Sequence, residues 1–289
     1  MQEADAALSY VKRRHFLVSL ASLLARNLAL RSRAVRNRAR RNLFLVTRNA
    51  PGIQREGWRV TVQAERVPDR IRNFEDFIRK HDFPCVGAKS ALSRGTLKLH
   101  ACRSITSAWD DVRIHRELLD WAFAYRKNPG LFRSIAFVFE GPDDLDEEAF
   151  EQAMWMRIQS LSDKDAWLEQ NYDPRVSSDP CDPHFSLSFG GEAFFVVGMH
   201  PNASRPARRF DHPVLVFNLH DQFEQLREQN RYETIRATIL ERDEALAGSI
   251  NPMLARHGEE SEALQYSGRA VEDGWECPFE DKRSGSEQE

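Results

Sequence analysis

The chain of 289 residues is poor in cysteine, in lysine and in long apolar runs, and each shortage narrows what it can be. Four cysteines, Cys85, Cys102, Cys181 and Cys277, stand far apart with no Cys-x-x-Cys pair. That spacing argues against a disulfide scaffold and against a structural zinc site, so free thiols in a reducing cytoplasm are expected. No run of about 18 apolar residues occurs, which leaves no membrane-spanning helix outside whatever the N-terminus does. Lysine is rare, 7 residues against 34 arginines, a bias that reads as genome composition rather than as function.

What is present divides in two. The first 59 residues hold 13 Lys or Arg against 3 Asp or Glu, so the rest of the chain carries 28 against 41 and is acidic, although the total is only -3. An acidic body argues against duplex nucleic acid as the main partner. With 41% hydrophobic residues and 10% aromatics, the chain from about residue 68 onward can bury one sizeable core.

The basic start admits three readings. Arg13 and Arg14 ahead of an apolar run from Phe16 to Ala25 look like a twin-arginine export signal. Against that, Arg26 interrupts the run, and Arg31, Arg33, Arg36, Arg38, Arg40 and Arg41 follow where a neutral mature start belongs. A basic amphipathic helix on an anionic membrane or nucleic acid is the second reading. The third is upstream sequence ahead of a start written as Val60, Val62 or Val67, since no methionine follows Met1 before Met154. Residues 1–67 are therefore expected as a basic extension, disordered or not part of the body.

From Pro68 the pattern becomes regular. Asn73 to Phe83 predicts a short helix capped by Asn73, and Thr96 to Ile105 alternates as a strand. Asp110 to Lys127 predicts a helix through Val112, Ile114, Leu118, Leu119, Ala122 and Phe123, ended by Asn128, Pro129 and Gly130. Ser134 to Glu140 predicts a buried strand, and an acidic start at Asp143 opens a helix to about Gln170. His184 to His200 predicts two strands turning at Gly190 and Gly191, where glycine supplies positive φ. Val214 to Leu219 is a further strand, and Asp221 to Ala247 one long or broken helix. The expected fold is α+β, a single mixed domain over 68–279 whose central sheet contains an antiparallel hairpin and is flanked by helices. Residues 280–289 are expected as a disordered polar tail.

Three polar turns at element ends are where chemistry is expected. In FPCVGAKSALSRG, Cys85 and Gly87 open a helix, the way heme-thiolate enzymes present sulfur to stabilising amides, with Lys89 nearby. A buried cysteine at a helix start is the plain alternative. In GMHPNASRPARRF, His200 ends an apolar strand as an iron ligand would, and Arg205, Arg208 and Arg209 are grouped as carboxylate partners, for instance of heme propionates. The plain alternative is a hydrogen-bonded structural histidine. In GSINPMLARHGEESEALQYSGR, Glu259, Glu260 and Glu262 offer carboxylates to a cation, or are ordinary surface acids.

FPCVGAKSAL, HFSLSFGGEAFFVVGMHPNASRPARRF, LVFNLHDQFEQLRE and GSINPMLARHGEESEALQYSGR followed by WECPF, in this order, resemble the blocks of the YqcI/YcgG family, over roughly Phe74 to Phe279. The long blocks are specific; the first 60 residues fall outside them. Members described by function are heme-dependent N-hydroxylases of guanidino compounds, in guanitoxin and D-cycloserine formation. The resemblance implies a cytoplasmic b-type heme oxidoreductase, a monooxygenase that uses O2 and an electron donor to hydroxylate a guanidine such as L-arginine. It implies His200 as axial ligand with Cys85 as second choice, Arg205, Arg208 and Arg209 as propionate partners, and Gly87 and Lys89 beside the cofactor. Asn218 and Gln222 are expected in the pocket wall, and Glu259 or Glu262 at the substrate cation. The alternatives are a non-catalytic heme-binding sensor or carrier, and a hydrolase that pairs Cys85 with a histidine.

Overall fold

Strand β2 (Ser134–Gly141) is apolar on both of its faces, from Ile135 to Phe139, and such a strand is stable only when both faces are covered. The computed structural model, which describes residues 68–251 and 258–283, puts it inside a five-stranded sheet of order β1-β2-β5-β4-β3. The basic extension 1–67 and residues 284–289 of the tail lie outside the described residues. β1 (Leu97–Ser104) runs parallel to β2 and is joined to it through α3 (Asp111–Lys127). β5 (Val214–Leu219) pairs antiparallel with β2 and with β4 (Glu192–Met199), and β4 with β3 (Leu187–Phe189). The β3–β4 hairpin turns at Gly190 and Gly191, φ 60° and 76°, as a two-residue turn with positive φ requires.

Period-two alternation sorts the sheet's side chains. Phe137, Phe139, Phe194, Val196, Leu215 and Phe217 point to one face, covered by α3 and α4 (Glu147–Trp167). Each fully buried phenylalanine there contributes about 1.5–3 kcal/mol. α4 begins at Asp146, whose Oδ1 accepts the Ala149 N–H at 2.8 Å. On the opposite face, Ala136, Val138, Val214 and Met199 meet Ile71, Phe74 and Ile78 of α1 (Asp69–Arg79). The remaining helices are α2 (Val86–Ser93), α5 (Asp221–Glu228), α6 (Tyr232–Ala247) and the one-turn α7 (Ala263–Tyr266). The described residues fall within one compact unit of α+β class.

Several boundaries differ from the expectation. α1 starts at Asp69, behind Pro68, and Asn73 is an exposed interior position, because Ile71 extends the buried stripe of Phe74 and Ile78 back by a turn. In α3, Val112 is 72% exposed and Phe123 lies at the surface; Tyr125 and His115 take their places in the core. The segment 221–247 is a broken helix, interrupted where Asn230 takes φ 55°. The tail expected from Glu280 is held through its first four residues. Glu280 exchanges hydrogen bonds with Gln159, and Arg283 Nη1 reaches the fully buried Asp165 at 2.9 Å. Among the described residues, no helix is long and apolar enough to cross a membrane.

Candidate functional site

Beyond the α1 contact, the same sheet face is left uncovered by its own core and becomes the floor of a cavity of about 350 Å³. That volume lies at the small end of ligand pockets, about 300–1,000 Å³. Val197, Met199 and Val216 form the floor, α1 and α2 one wall, and Ile235 and Ile239 of α6 part of the cover. The walls are mainly apolar, so each polar group on them stands out.

Cys85 is one of them. It is the N-cap of α2, and its Sγ accepts the Ala88 N–H at 3.4 Å. Burial pushes the thiol up, while the Ala88 and Gly87 amides and the Arg208 charge pull it down. Gly87 also lines the cavity.

Arg208 is the second. Its Nη1 donates to the Gly198 and Tyr266 carbonyls at 2.9 and 3.2 Å, and its Nη2 to the Gln265 carbonyl at 3.1 Å. None of these acceptors carries charge. Burial pushes the guanidinium down to about 10, opposed by Asp243 and Cys85, so it is still a cation at neutral pH. Arg205, also on the wall, is already matched: it pairs with Asp243 of α6 and donates to the Ser249 carbonyl at 3.0 Å.

A carboxylate completes the set. Glu262, 4% exposed, accepts the Ser186 hydroxyl at 2.9 Å and the Tyr266 hydroxyl at 3.2 Å, and its Oε1 lies 3.6 Å from His220 Nε2. Burial first, then the charge of Glu262, holds the Tyr266 phenol well above its ordinary value, so it remains a donor. Asn218 and Gln222 line the cavity with their hydrogen bonds turned to the scaffold. Asn218 Oδ1 accepts the Ser134 hydroxyl at 2.6 Å, and Gln222 bonds both the N–H and the carbonyl of Arg133 at 2.9 Å.

Four expected site residues are not on this wall. His200 follows Met199, which faces the cavity side, so by alternation it faces the other way. There it is 2% exposed and stacks on Phe150, ring centroids 4.3 Å apart, inside the α3/α4 core. Burial pushes its imidazole down, against the raising effect of Glu147 and a Leu145 backbone bond, so the neutral form is favoured. Arg209 closes its own loop through the Ala203 and Ser204 carbonyls. Lys89 donates to the Lys80 and His81 carbonyls at the end of α1, and Glu259 is exposed. Cys85, Gly87, Arg205, Arg208, Asn218, Gln222 and Glu262 are brought together.

Sequence reasoning missed His220 and Tyr266. His220 carried a usable signal, because it ends the apolar strand LVFNL just as His200 ends FFVVGM. Tyr266 carried none, since only the packing of α7 against β4 brings it beside Phe194.

Compared with known proteins, residues 74–280 match the YqcI/YcgG family. No curated protein and no solved structure matches the chain.

Proposed function

The chain belongs to the YqcI/YcgG family, and on that premise we propose that it is a cytoplasmic heme-dependent N-hydroxylase. Its substrate in this reading is a guanidino compound such as L-arginine, with O2 and an external electron donor as co-reactants. One observation carries the proposal: one mainly apolar cavity is lined by a half-buried cation, Arg208, which donates to the Gly198, Tyr266 and Gln265 carbonyls, and by a buried carboxylate, Glu262. An anionic cofactor and a cationic substrate suit the signs of these two charges.

The residues fit a heme. Cys85 offers a sulfur whose thiol is pushed up by burial, while two amides and Arg208 pull toward its anion, and Arg208 offers its charge to a propionate. The cavity location of Cys85, with His200 packed on the opposite sheet face, favours Cys85 as the axial ligand. When bound, heme supplies the iron at which O2 is activated. The protein's own share is to keep water out with its apolar walls, to hold the cation against Glu262, and to keep Glu262 in place through Ser186 and Tyr266.

The test is to purify the protein, titrate it with hemin, and add L-arginine with O2 and a reductant. A Soret band that L-arginine shifts, followed by product one oxygen heavier at a guanidino nitrogen, is expected. Absence of both heme uptake and oxygenated product overturns the proposal.

A further inference from the structure

Phe132 joins the cavity to a charged surface through a single ring. It lines the cavity, and two exposed guanidinium groups that are not part of the lining share it, Arg94 at 5.1 Å and Arg231 at 6.0 Å from its centroid. Phe132 packs with Ala91 and Leu226 in one small core, so three stretches of chain meet there: the end of α2 with the start of β1, the loop after α3, and the loop after α5. Residues 89–98, 126–133 and 226–231 hold eight Lys or Arg against one acid, Glu228, on an otherwise acidic body.

Three of the eight are matched, Lys98 with Glu117, Arg126 with Glu192 and Arg227 with Glu224, and Lys89 turns away to the carbonyls at the end of α1. The other four, Arg94, Lys127, Arg133 and Arg231, have no carboxylate partner among the described residues. Arg231 donates to the neutral Gln229 Oε1 at 3.2 Å, and Arg133 donates to the Asn128 carbonyl and lies over the Trp121 ring at 5.2 Å. Gathering unmatched cations costs repulsion, and an anionic partner relieves it.

We propose that this patch docks a small acidic electron-transfer protein of the iron–sulfur class, and that Phe132 marks where its electrons reach the cavity. The proposal rests on the hydroxylase reading and names the donor which that reading requires. Hydroxylation turns a guanidino N–H, O2, two electrons and two protons into N–OH and water. A reduced [2Fe–2S] protein gives one electron and is itself oxidised, so two donor molecules dock and leave for each product. Such turnover suits a rim of exposed charge, which speeds encounter without a large apolar interface; weak redox encounters bury less than about 1,200 Å². A single-stranded nucleic acid is the other polyanion with this charge. It suits the patch less, because the rings under these guanidinium groups, Phe132, Trp121 and Tyr125, are buried or half-buried and offer bases no open face for stacking.

The experiment titrates the full-length protein with a plant-type [2Fe–2S] ferredoxin by calorimetry, at low and high salt, with a single-stranded oligonucleotide in parallel. Arg94→Glu combined with Arg231→Glu should weaken ferredoxin binding about tenfold at low salt, and high salt should remove the difference. Arg94→Lys combined with Arg231→Lys should bind as the parent does, and Arg94→Gln alone should show a smaller loss in the same direction. All these variants leave the basic residues 1–59 unchanged, so the loss belongs to the patch. In turnover of the hemin-loaded protein, the charge-reversed pair should slow ferredoxin-driven hydroxylation of L-arginine about tenfold and leave the dithionite-driven rate at the parent's value. Ferredoxin binding indifferent to charge reversal overturns the docking surface. So does an oligonucleotide that binds more tightly than ferredoxin and is lost on the same reversal. Failure of the hydroxylase reading looks different: ferredoxin still binds through Arg94 and Arg231, and neither reductant yields oxygenated product.

Discussion

Gly198 and Tyr266 meet so closely that a Cβ on the glycine would lie 3.0 Å from the Tyr266 carbonyl oxygen and 2.8 Å from the Phe150 ring. Arg208 then donates to both carbonyls, so β4, α7 and the loop after β4 are tied at one point of the cavity wall. Gly198→Ala must push α7 or Phe150 outward, and overpacking of this kind costs about 1–3 kcal/mol. Thermal denaturation should show the loss, and weaker hemin uptake should accompany it because Arg208 loses an acceptor's position. A variant as stable as the parent contradicts the contact.

The two ligand candidates separate by mutation. Cys85→Ser should fold, since a hydroxyl can still cap α2, and it should lose the thiolate-type carbon monoxide band of the reduced heme protein. His200→Gln should keep that band, because His200 lies against Phe150 and away from the cavity. The reverse outcome would return the ligand to His200.

His200 also predicts a pH dependence of stability. Its pKa in the fold is lowered by burial, so the protein favours neutral His200 and the unfolded chain binds the proton more readily. The stability it contributes is full above the ordinary histidine value, about 6.5, and is lost as pH falls from there toward the folded value. Melting temperature should therefore drop as pH falls below about 6.5, and His200→Gln should flatten that drop.

Removing the end of the chain should cost more than a polar tail suggests. Asp165 is fully buried and accepts from His115 at 2.8 Å, from the Gly190 N–H at 3.0 Å and from Arg283 at 2.9 Å. Arg283→Ala leaves it with two partners and one missing countercharge, and a loss of about 2–4 kcal/mol is expected by denaturant unfolding. A change within about 0.5 kcal/mol, as for an ordinary surface residue, would show that the pair is not formed in solution.

A buried ion pair helps to fasten the cover of the cavity. Asp243 is the one buried residue of α6 and pairs with Arg205. Asp243→Ala should raise amide exchange along Tyr232–Ala247 while leaving β2 and β5 protected, because α6 holds the body through few buried groups. Uniform exchange across both would show that α6 unfolds only with the sheet.

Much of this fold is written locally. The continuous apolar runs of β2, β4 and β5, the glycine pair at 190–191 and the acidic start of α4 each act over a few residues, and they recover the strands, the hairpin and the helix order. So do the cysteine at a helix mouth and the arginine group after β4, because both sit where an element ends. The amphipathic stripe misled where a residue such as Val112 is apolar without being buried, and at the start of α1, where Ile71 extends it.

Which residues share the cavity is a matter of side-chain direction across long sequence separations, and no local pattern encodes that. One step along the chain separates Met199, on the cavity side, from His200, behind the sheet, a difference of face that the motif by itself does not carry. The charges divide in the same way. Arg205 finds Asp243 and Arg209 finds its own loop, leaving Arg208 with carbonyls alone, although the three look alike in sequence. The sequence alone determined an acidic α+β body of the YqcI/YcgG family with a basic segment ahead of it. Only tertiary packing decided that Cys85, Arg208, Glu262 and His220 line one cavity, because burial and pairing are set by what the neighbouring elements leave open.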